Sequence, residues 1–175
     1  LALMKENFIP HGKITVIFTV QEEIGLVGSK HIEEKYLEGI DFGYTFDADG
    51  GAGNAFIAGP AEYTLKFTCH GVAAHAGMAP EKGTNAVMMA AKGIAKAPTG
   101  RVDEETTCNI GVISGGIATN IVPELCVVRA EVRSRNPEKL EKITDEMITA
   151  FEKAAAEFPE GKLDVEKNKE YESFE

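Results

Sequence analysis

Two glutamates, Glu22 and Glu23, stand side by side where an apolar run stops in VIFTVQEEIGLVGSK. An aspartate, Asp47, closes a second short apolar run in YTFDADGG. Carboxylates gathered in one place repel one another unless a cation holds them, and a divalent metal is the simplest such cation. Neighbouring side chains on an extended segment point in different directions. One acid of the pair can therefore ligate a metal while the other stands free as a base. A metal-bound water attacking a carbonyl needs such a base to take its proton. A solvated acidic turn is the plain alternative for an adjacent glutamate pair, and Asp49 competes with Asp47.

This chemistry requires the acids to converge, and the flanking pattern says how. Residues 14–20 (ITVIFTV) are almost continuously apolar and β-branched, which suits a strand covered on both faces. Residues 26–37 carry Val27, Ile32, Tyr36 and Leu37 in a passable helical pattern, and residues 43–46 (GYTF) read as a second strand. Strand, helix and strand in succession make a βαβ unit. A right-handed crossover makes the two strands parallel, so their carboxyl ends share one sheet edge. Ligands of open α/β sheets collect at that edge. Residues 1 to about 54 are therefore expected to form part of an α/β layer.

Gly50, Gly51 and Gly53 read as a linker, and the pattern changes after them. Residues 62–68 alternate, with Tyr63, Leu65 and Phe67 on one face, which predicts a half-exposed antiparallel strand. Residues 84–97 predict a helix with Val87, Ala90, Ala91 and Ile94 inward and Pro98 as its stop. Residues 107–113 alternate through Cys108, Ile110 and Val112, and Ser114, Gly115 and Gly116 break the run. In residues 125–133, Cys126, Val128, Ala130 and Val132 point one way and Arg129, Glu131 and Arg133 the other. Asn136, Pro137 and Glu138 start a helix with a cap, a preset φ and an acid at the positive end of the dipole. Leu140, Ile143, Met147, Ala150, Phe151 and Ala154 carry that helix inward, Pro159 and Gly161 stop it, and residues 163–165 open a last strand. The order β-α-β-β-α-β is the ferredoxin-like plan, an antiparallel sheet with two helices on one face.

The bulk numbers narrow the partners. With 175 residues, 43% hydrophobic and 26% charged, the chain can bury a core as one ordinary domain or two small ones. A net charge of -10 without a basic run argues against nucleic acid or an anionic membrane as partner. No apolar stretch approaches the ~20 residues of a membrane span. Cys69, Cys108 and Cys126 fall in strand-like segments without C-x-x-C spacing, which reads as buried, reduced thiols in a cytoplasmic setting. Cys69, His70 and His75 fit no common zinc spacing. Gly25 and Gly28 belong to no phosphate-binding motif and read as turn and packing residues.

Five ordered stretches, VIFTVQEEIGLVGSK, YTFDADGG, GVAAHAGMAPEKGTNAV, TNIVPE and EVRSRNPEKL, resemble the dizinc metallopeptidase family that includes peptidase T, carboxypeptidase G, aminoacylases and succinyl-diaminopimelate desuccinylase. The similarity is greatest to the peptidase T-like branch. The resemblance implies a zinc-binding α/β catalytic domain interrupted by a ferredoxin-like lid that dimerises. On this chain it implies residues 1–57 as a slice of the catalytic domain, 58–168 as the lid, and 169–175 as the return to the catalytic domain. It implies Glu22 as general acid/base, and Glu23 and Asp47 as ligands to two zinc ions. His75 would polarise the scissile carbonyl in the partner subunit's site. Asn120 and Arg133 would hold the substrate backbone or carboxylate. Arg129 and Arg135 are neighbouring alternatives to Arg133.

The family's H-x-D motif, its bridging aspartate and its terminal ligand histidine have no counterpart here. None of His11, His31, His70 and His75 is followed two places on by Asp. The chain also begins Leu1-Ala2-Leu3-Met4, as if inside a helix. The expectation is a middle piece of a metal-dependent exopeptidase acting on short peptides, inactive alone. Two other readings stand beside it: a non-catalytic dimerisation and substrate-capping module, and a deacylase of the same family.

Overall fold

The computed structural model describes residues 2–23, 25–46, 50–51 and 53–175. The chain divides into two units, Leu1–Asp49 and Gly50–Glu175.

The first unit carries less regular structure than its sequence predicts. It opens with a short helix, α1 (Ala2–Glu6), and continues through extended chain to two 3-10 turns, Ser29–His31 and Glu34–Tyr36. Neither residues 14–20 nor residues 43–46 form a strand, so the expected parallel layer is not built among the described residues. A strand exists only where its N–H and C=O groups pair with a neighbour and its side chains are covered. Here Phe18 is 92% exposed and Phe46 93%. The helix expected over residues 26–37 breaks at Ile32 and Glu33, whose ψ values of 120° and 135° are extended. A sparse apolar stripe that is at best half-buried among the described residues does not repay helix nucleation.

The second unit follows its pattern closely. Its elements are β1 (Ala61–His70), β2 (Ala74–His75), α2 (Ala86–Lys96), β3 (Gly100–Arg101), β4 (Thr106–Gly115), β5 (Ile121–Val122), β6 (Leu125–Ser134), α3 (Pro137–Ala155) and β7 (Lys162–Tyr171). The main sheet has the order β3-β4-β6-β1-β7. The four long strands are antiparallel to their neighbours, with Phe67 opposite Val128 and Val165. With α2 and α3 between strands, this is the ferredoxin-like arrangement. Both helices start as chemistry dictates. The Asn85 side chain accepts from the Met88 N–H, and Asn136 accepts from Glu138 and Lys139 ahead of Pro137.

Alternation decides which side of the sheet the helices cover. Tyr63, Leu65, Phe67 and Cys69 of β1 and Cys126, Val128, Ala130 and Val132 of β6 are buried on one face. The inward stripe of α3 is as expected, with Thr144 added. Phe151 of α3 stacks on Phe67, ring centroids 3.8 Å apart at 4°. Burying one such side chain stabilises by roughly 1.5–3 kcal/mol.

Three details depart from the sequence pattern. The buried face of α2 is Ala86, Met89, Ala90 and Gly93, with Val87 and Ile94 partly buried and Ala91 exposed. The rotation follows from Gly93, which leaves the space that the Phe151 ring occupies. In β4 the register shifts between Ile110 and Val112, so Val112 lies opposite Arg129 on the open face. The bulged Gly111 adds one residue and inverts the alternation beyond it. The last strand runs to Tyr171, three residues past the expected lid boundary, because a register shift at Glu62 and Tyr63 keeps Tyr171 paired with Glu62.

A Cβ at Gly93 would lie 2.6 Å from Cδ1 of Phe151. Gly93→Ala gains up to ~1 kcal/mol of helix propensity but displaces a ring already sandwiched against Phe67, an overpacking cost of about 1–3 kcal/mol. We expect net destabilisation, read as a lower urea midpoint. A raised midpoint would show that α2 and α3 can separate freely.

Candidate functional site

Nested turns present the acid pair. The Val20 carbonyl accepts from Gly28 N–H at 2.9 Å, and the Gln21 carbonyl from Val27 at 3.2 Å. The Glu22 carbonyl accepts from Gly25 and Leu26 at 3.2 and 2.9 Å. A Cβ on Gly28 would lie 2.5 Å from the Val20 nitrogen, so this closure requires glycine. Gln21 enters the turn at φ 58°, a left-handed conformation rare outside glycine and costly by about 1–3 kcal/mol. Glu22 and Glu23 are both exposed on this turn. Asp47 and its rival Asp49 lie outside the described residues.

These residues do not by themselves make a zinc site. Among the described residues no three His, Cys, Asp or Glu side chains converge where a metal ion could sit. Nδ1 of His11 and His31 lies on the carbonyls of Gly12 and Val27, and Nε2 of His70 lies on Asp164. Structural zinc takes four ligands and catalytic zinc at least three from protein.

His75 and Asn120 are brought together. The strands β2 and β5 form a two-residue ribbon in which Ala74 faces Val122 and His75 faces Ile121. The Ala76 N–H donates to the Asn120 carbonyl at 2.9 Å. The His75 carbonyl accepts from Met78 at 3.2 Å and Ala79 at 3.0 Å, and the Gly77 N–H donates to His75 Nδ1 at 3.1 Å. His75 and Asn120 are both exposed. Two-residue strands carry no readable periodicity, so this pairing was not visible in the sequence.

Arg133 lies elsewhere. The ribbon springs from the end of the sheet where β1 stops and β6 starts, whereas Arg133 is at the opposite end of β6. Leu125 and Arg133 are eight residues apart on this strand, roughly 25 Å. There Arg133 Nη2 sits 3.4 Å from the buried Glu62 carboxylate and 3.0 Å from Glu131. The Tyr171 hydroxyl donates to the same Glu62. Arg133 Nε is buried without a hydrogen-bond partner among the described residues. Glu62 and Tyr171 were missed by sequence reasoning. The only available signal was a glutamate at an outward position of β1, which ordinarily means solvent. Arg129 and Arg135 are exposed. The cysteines are free and buried, and burial pushes the Cys69 thiol up to about 11.

The ferredoxin-like sheet thus carries a side ribbon that exposes His75, with Asn120 exposed just ahead of β5. The chain belongs to the peptidase dimerisation domain family, whose model matches residues 59–159. It is similar to the crystal structure of aminopeptidase PepT from Bacillus cereus, with TM-score 0.82 and 45% identity, covering 99% of this chain and 46% of that one. It is also similar to a tripeptidase from Staphylococcus aureus, with TM-score 0.88 and 38% identity over the same shares, 99% and 46%. Peptidase T of Vibrio cholerae is 34% identical over 104 residues, 59% of this chain and 25% of that protein. The chain thus spans less than half the length of the relatives it matches. No helix among the described residues is long and apolar enough to cross a membrane.

Burial first, and then the hydrogen bond to Glu62, pushes the Tyr171 hydroxyl up from 10.0 to about 12. The folded value exceeds the unfolded one. The contribution of the neutral phenol is therefore fully present below about pH 10 and is lost as pH rises through about 12. In a spectrophotometric titration, the difference between the wild type and Tyr171→Phe should show Tyr171 ionising near pH 12. Ionisation near 10 would mean that the hydroxyl is neither buried nor held by Glu62.

Proposed function

We propose that the full-length protein hydrolyses a peptide bond of short peptides as a metal-dependent exopeptidase, and that this chain supplies its dimerising lid and part of its active site. The observation that carries the reading is the ribbon that sets His75 opposite Ile121, with the Ala76 N–H on the Asn120 carbonyl, on a domain of the peptidase dimerisation family. The similarity to an aminopeptidase and a tripeptidase over 99% of the chain supports it.

In this reading Glu22 takes the proton of the attacking water, and Glu23 and Asp47 would be ligands in a two-zinc centre. Zinc, when bound, supplies Lewis-acid polarisation and a water of lowered pKa. His75 donates a hydrogen bond to the oxygen that gains charge on the scissile carbonyl, and Asn120 beside it holds the substrate backbone. Arg133 is held roughly a sheet's length away. A short peptide lying at His75 does not reach the Arg133 of the same subunit, so the two residues serve different active sites of a dimer.

The dimer is proposed to form through the free edge of β4. Beyond Cys108 this strand has no outer partner among the described residues, and Val112 and Ile113 are 50% and 52% exposed. The other sheet edge, β7, is lined by Lys162, Asp164, Glu166, Lys167 and Lys169. Charge of that kind blocks edge-to-edge pairing.

A second reading rests on the lack, among the described residues, of any group of three side chains able to hold a metal: this chain alone is a dimerisation and capping module without catalysis. It predicts that the purified chain retains no stoichiometric zinc after dialysis and hydrolyses no peptide. Two retained ions per chain by elemental analysis would reject it.

In the full-length protein, Glu22→Gln should keep zinc while kcat falls ~10²–10⁴-fold, and Glu23→Ala should lose zinc. His75→Ala should lower kcat about 10²–10³-fold with metal and fold intact. Mixing the Glu22→Gln and His75→Ala proteins should restore activity by forming one complete site per mixed dimer. No recovery after demonstrated subunit exchange would remove the histidine from the partner's site. Ile113→Lys should shift the dimer to monomer by light scattering, and an unchanged dimer would place the interface elsewhere.

A further inference from the structure

We propose that the backbone N–H of Gly77 is a positioning group for His75. It fixes the neutral imidazole as the tautomer protonated at Nε2, so that the ring meets the substrate as a hydrogen-bond donor. The proposal deepens the reading above and rests on it for the identity of the substrate carbonyl. It does not rest on that reading for the state of the ring.

The argument is one of hydrogen-bond roles. The amides that follow His75 are each assigned: Ala76 donates to the Asn120 carbonyl, and Met78 and Ala79 donate to the His75 carbonyl. Gly77 alone among them turns to the side chain, 3.1 Å from Nδ1. An amide N–H can only donate, so Nδ1 must present its lone pair. In a neutral ring the proton then resides on Nε2. The same chain shows the opposite arrangement at His11 and His31. Their Nδ1 atoms lie 2.7 and 2.8 Å from the carbonyl oxygens of Gly12 and Val27. A carbonyl only accepts, so those neutral rings carry the proton on Nδ1 and leave Nε2 as acceptor. At His75 an acceptor at Nε2 would repel an oxygen gaining negative charge, whereas a donor there stabilises it. The ribbon pairing of β2 with β5 and the turn onto the His75 carbonyl hold Gly77 in place, so the loop backbone selects the ring's chemistry.

The test is a two-bond proton–nitrogen correlation of the imidazoles in the 15N-labelled full chain at about pH 8, where histidine is neutral. His75→Ala identifies the resonance. The expected result is a proton on Nε2 of His75 and a nitrogen–nitrogen coupling across the Gly77 to Nδ1 hydrogen bond. Gly77→Pro deletes the N–H and should abolish the coupling and admit the second tautomer. Gly77→Ala keeps the N–H, its Cβ would sit 3.6 Å from Cε1 of the ring, and it should leave the pattern unchanged. A proton on Nδ1 in the wild type would overturn the proposal without any variant. So would a His75 spectrum that is unaltered in a folded Gly77→Pro. Full activity in His75→Ala would remove the catalytic reading while leaving the tautomer result standing, so the two failures are distinguishable.

Discussion

The stacked pair of Phe67 and Phe151 is the contact on which the larger unit depends. Phe67 lies on β1, which has β6 on one side and β7 on the other, so its ring sits on an interior strand of the sheet. Phe151 is in the last third of α3, and its ring also fills the gap left by Gly93 of α2. One contact therefore joins the sheet to both helices. It also sets the rotation of α2, because a residue with a side chain cannot occupy the point where the ring passes. Loss of either ring would leave a cavity at the junction of three elements, for which Phe→Ala costs about 3–5 kcal/mol.

Where each residue is decided by its own strand or helix, the fold was legible. The in–out alternation of β6, the cap at Asn136 and the inward stripe of α3 all follow from local rules that the structure obeys. Where a residue's role depends on what another element does, the sequence was silent. Gly93 is a core residue because Phe151 is large. Val112 changes face because Gly111 is an extra residue relative to β6. Glu62 is buried because Tyr171 and Arg133 cover it. Residues 14–20 have strand composition without strand structure, since composition supplies the side chains but not the paired neighbour. The same division holds for the candidate site. The types and motif positions of Glu22, Glu23, His75, Asn120 and Arg133 could be named in advance. The joining of His75 to Asn120 and the distance to Arg133 are properties of strand register.

The open face of the sheet acts as a rigid spacer between two polar ends. At one end the ribbon carries hydrogen-bonding groups in a setting of small residues. At the other, a guanidinium is held between two carboxylates, one of which also accepts from a phenol. A hydrogen-bonded sheet keeps such a separation constant through thermal motion far better than a loop would, because its length is set by backbone geometry. A sheet of this kind holds two different sets of polar groups at two fixed places.

The backbone of Gly59 and that of Phe174 exchange both hydrogen bonds, at 3.0 and 3.1 Å, just before β1 begins and just after β7 ends. The two ends of the ferredoxin-like sheet are thereby tied at one point. A module closed in this way occupies the space of a single turn in whatever chain contains it. It can be inserted into, or deleted from, a surface loop of a host domain without pulling that loop's ends apart. The geometry makes the sheet a transferable cassette, free to diversify its outer edges and ribbon while the host keeps its own fold.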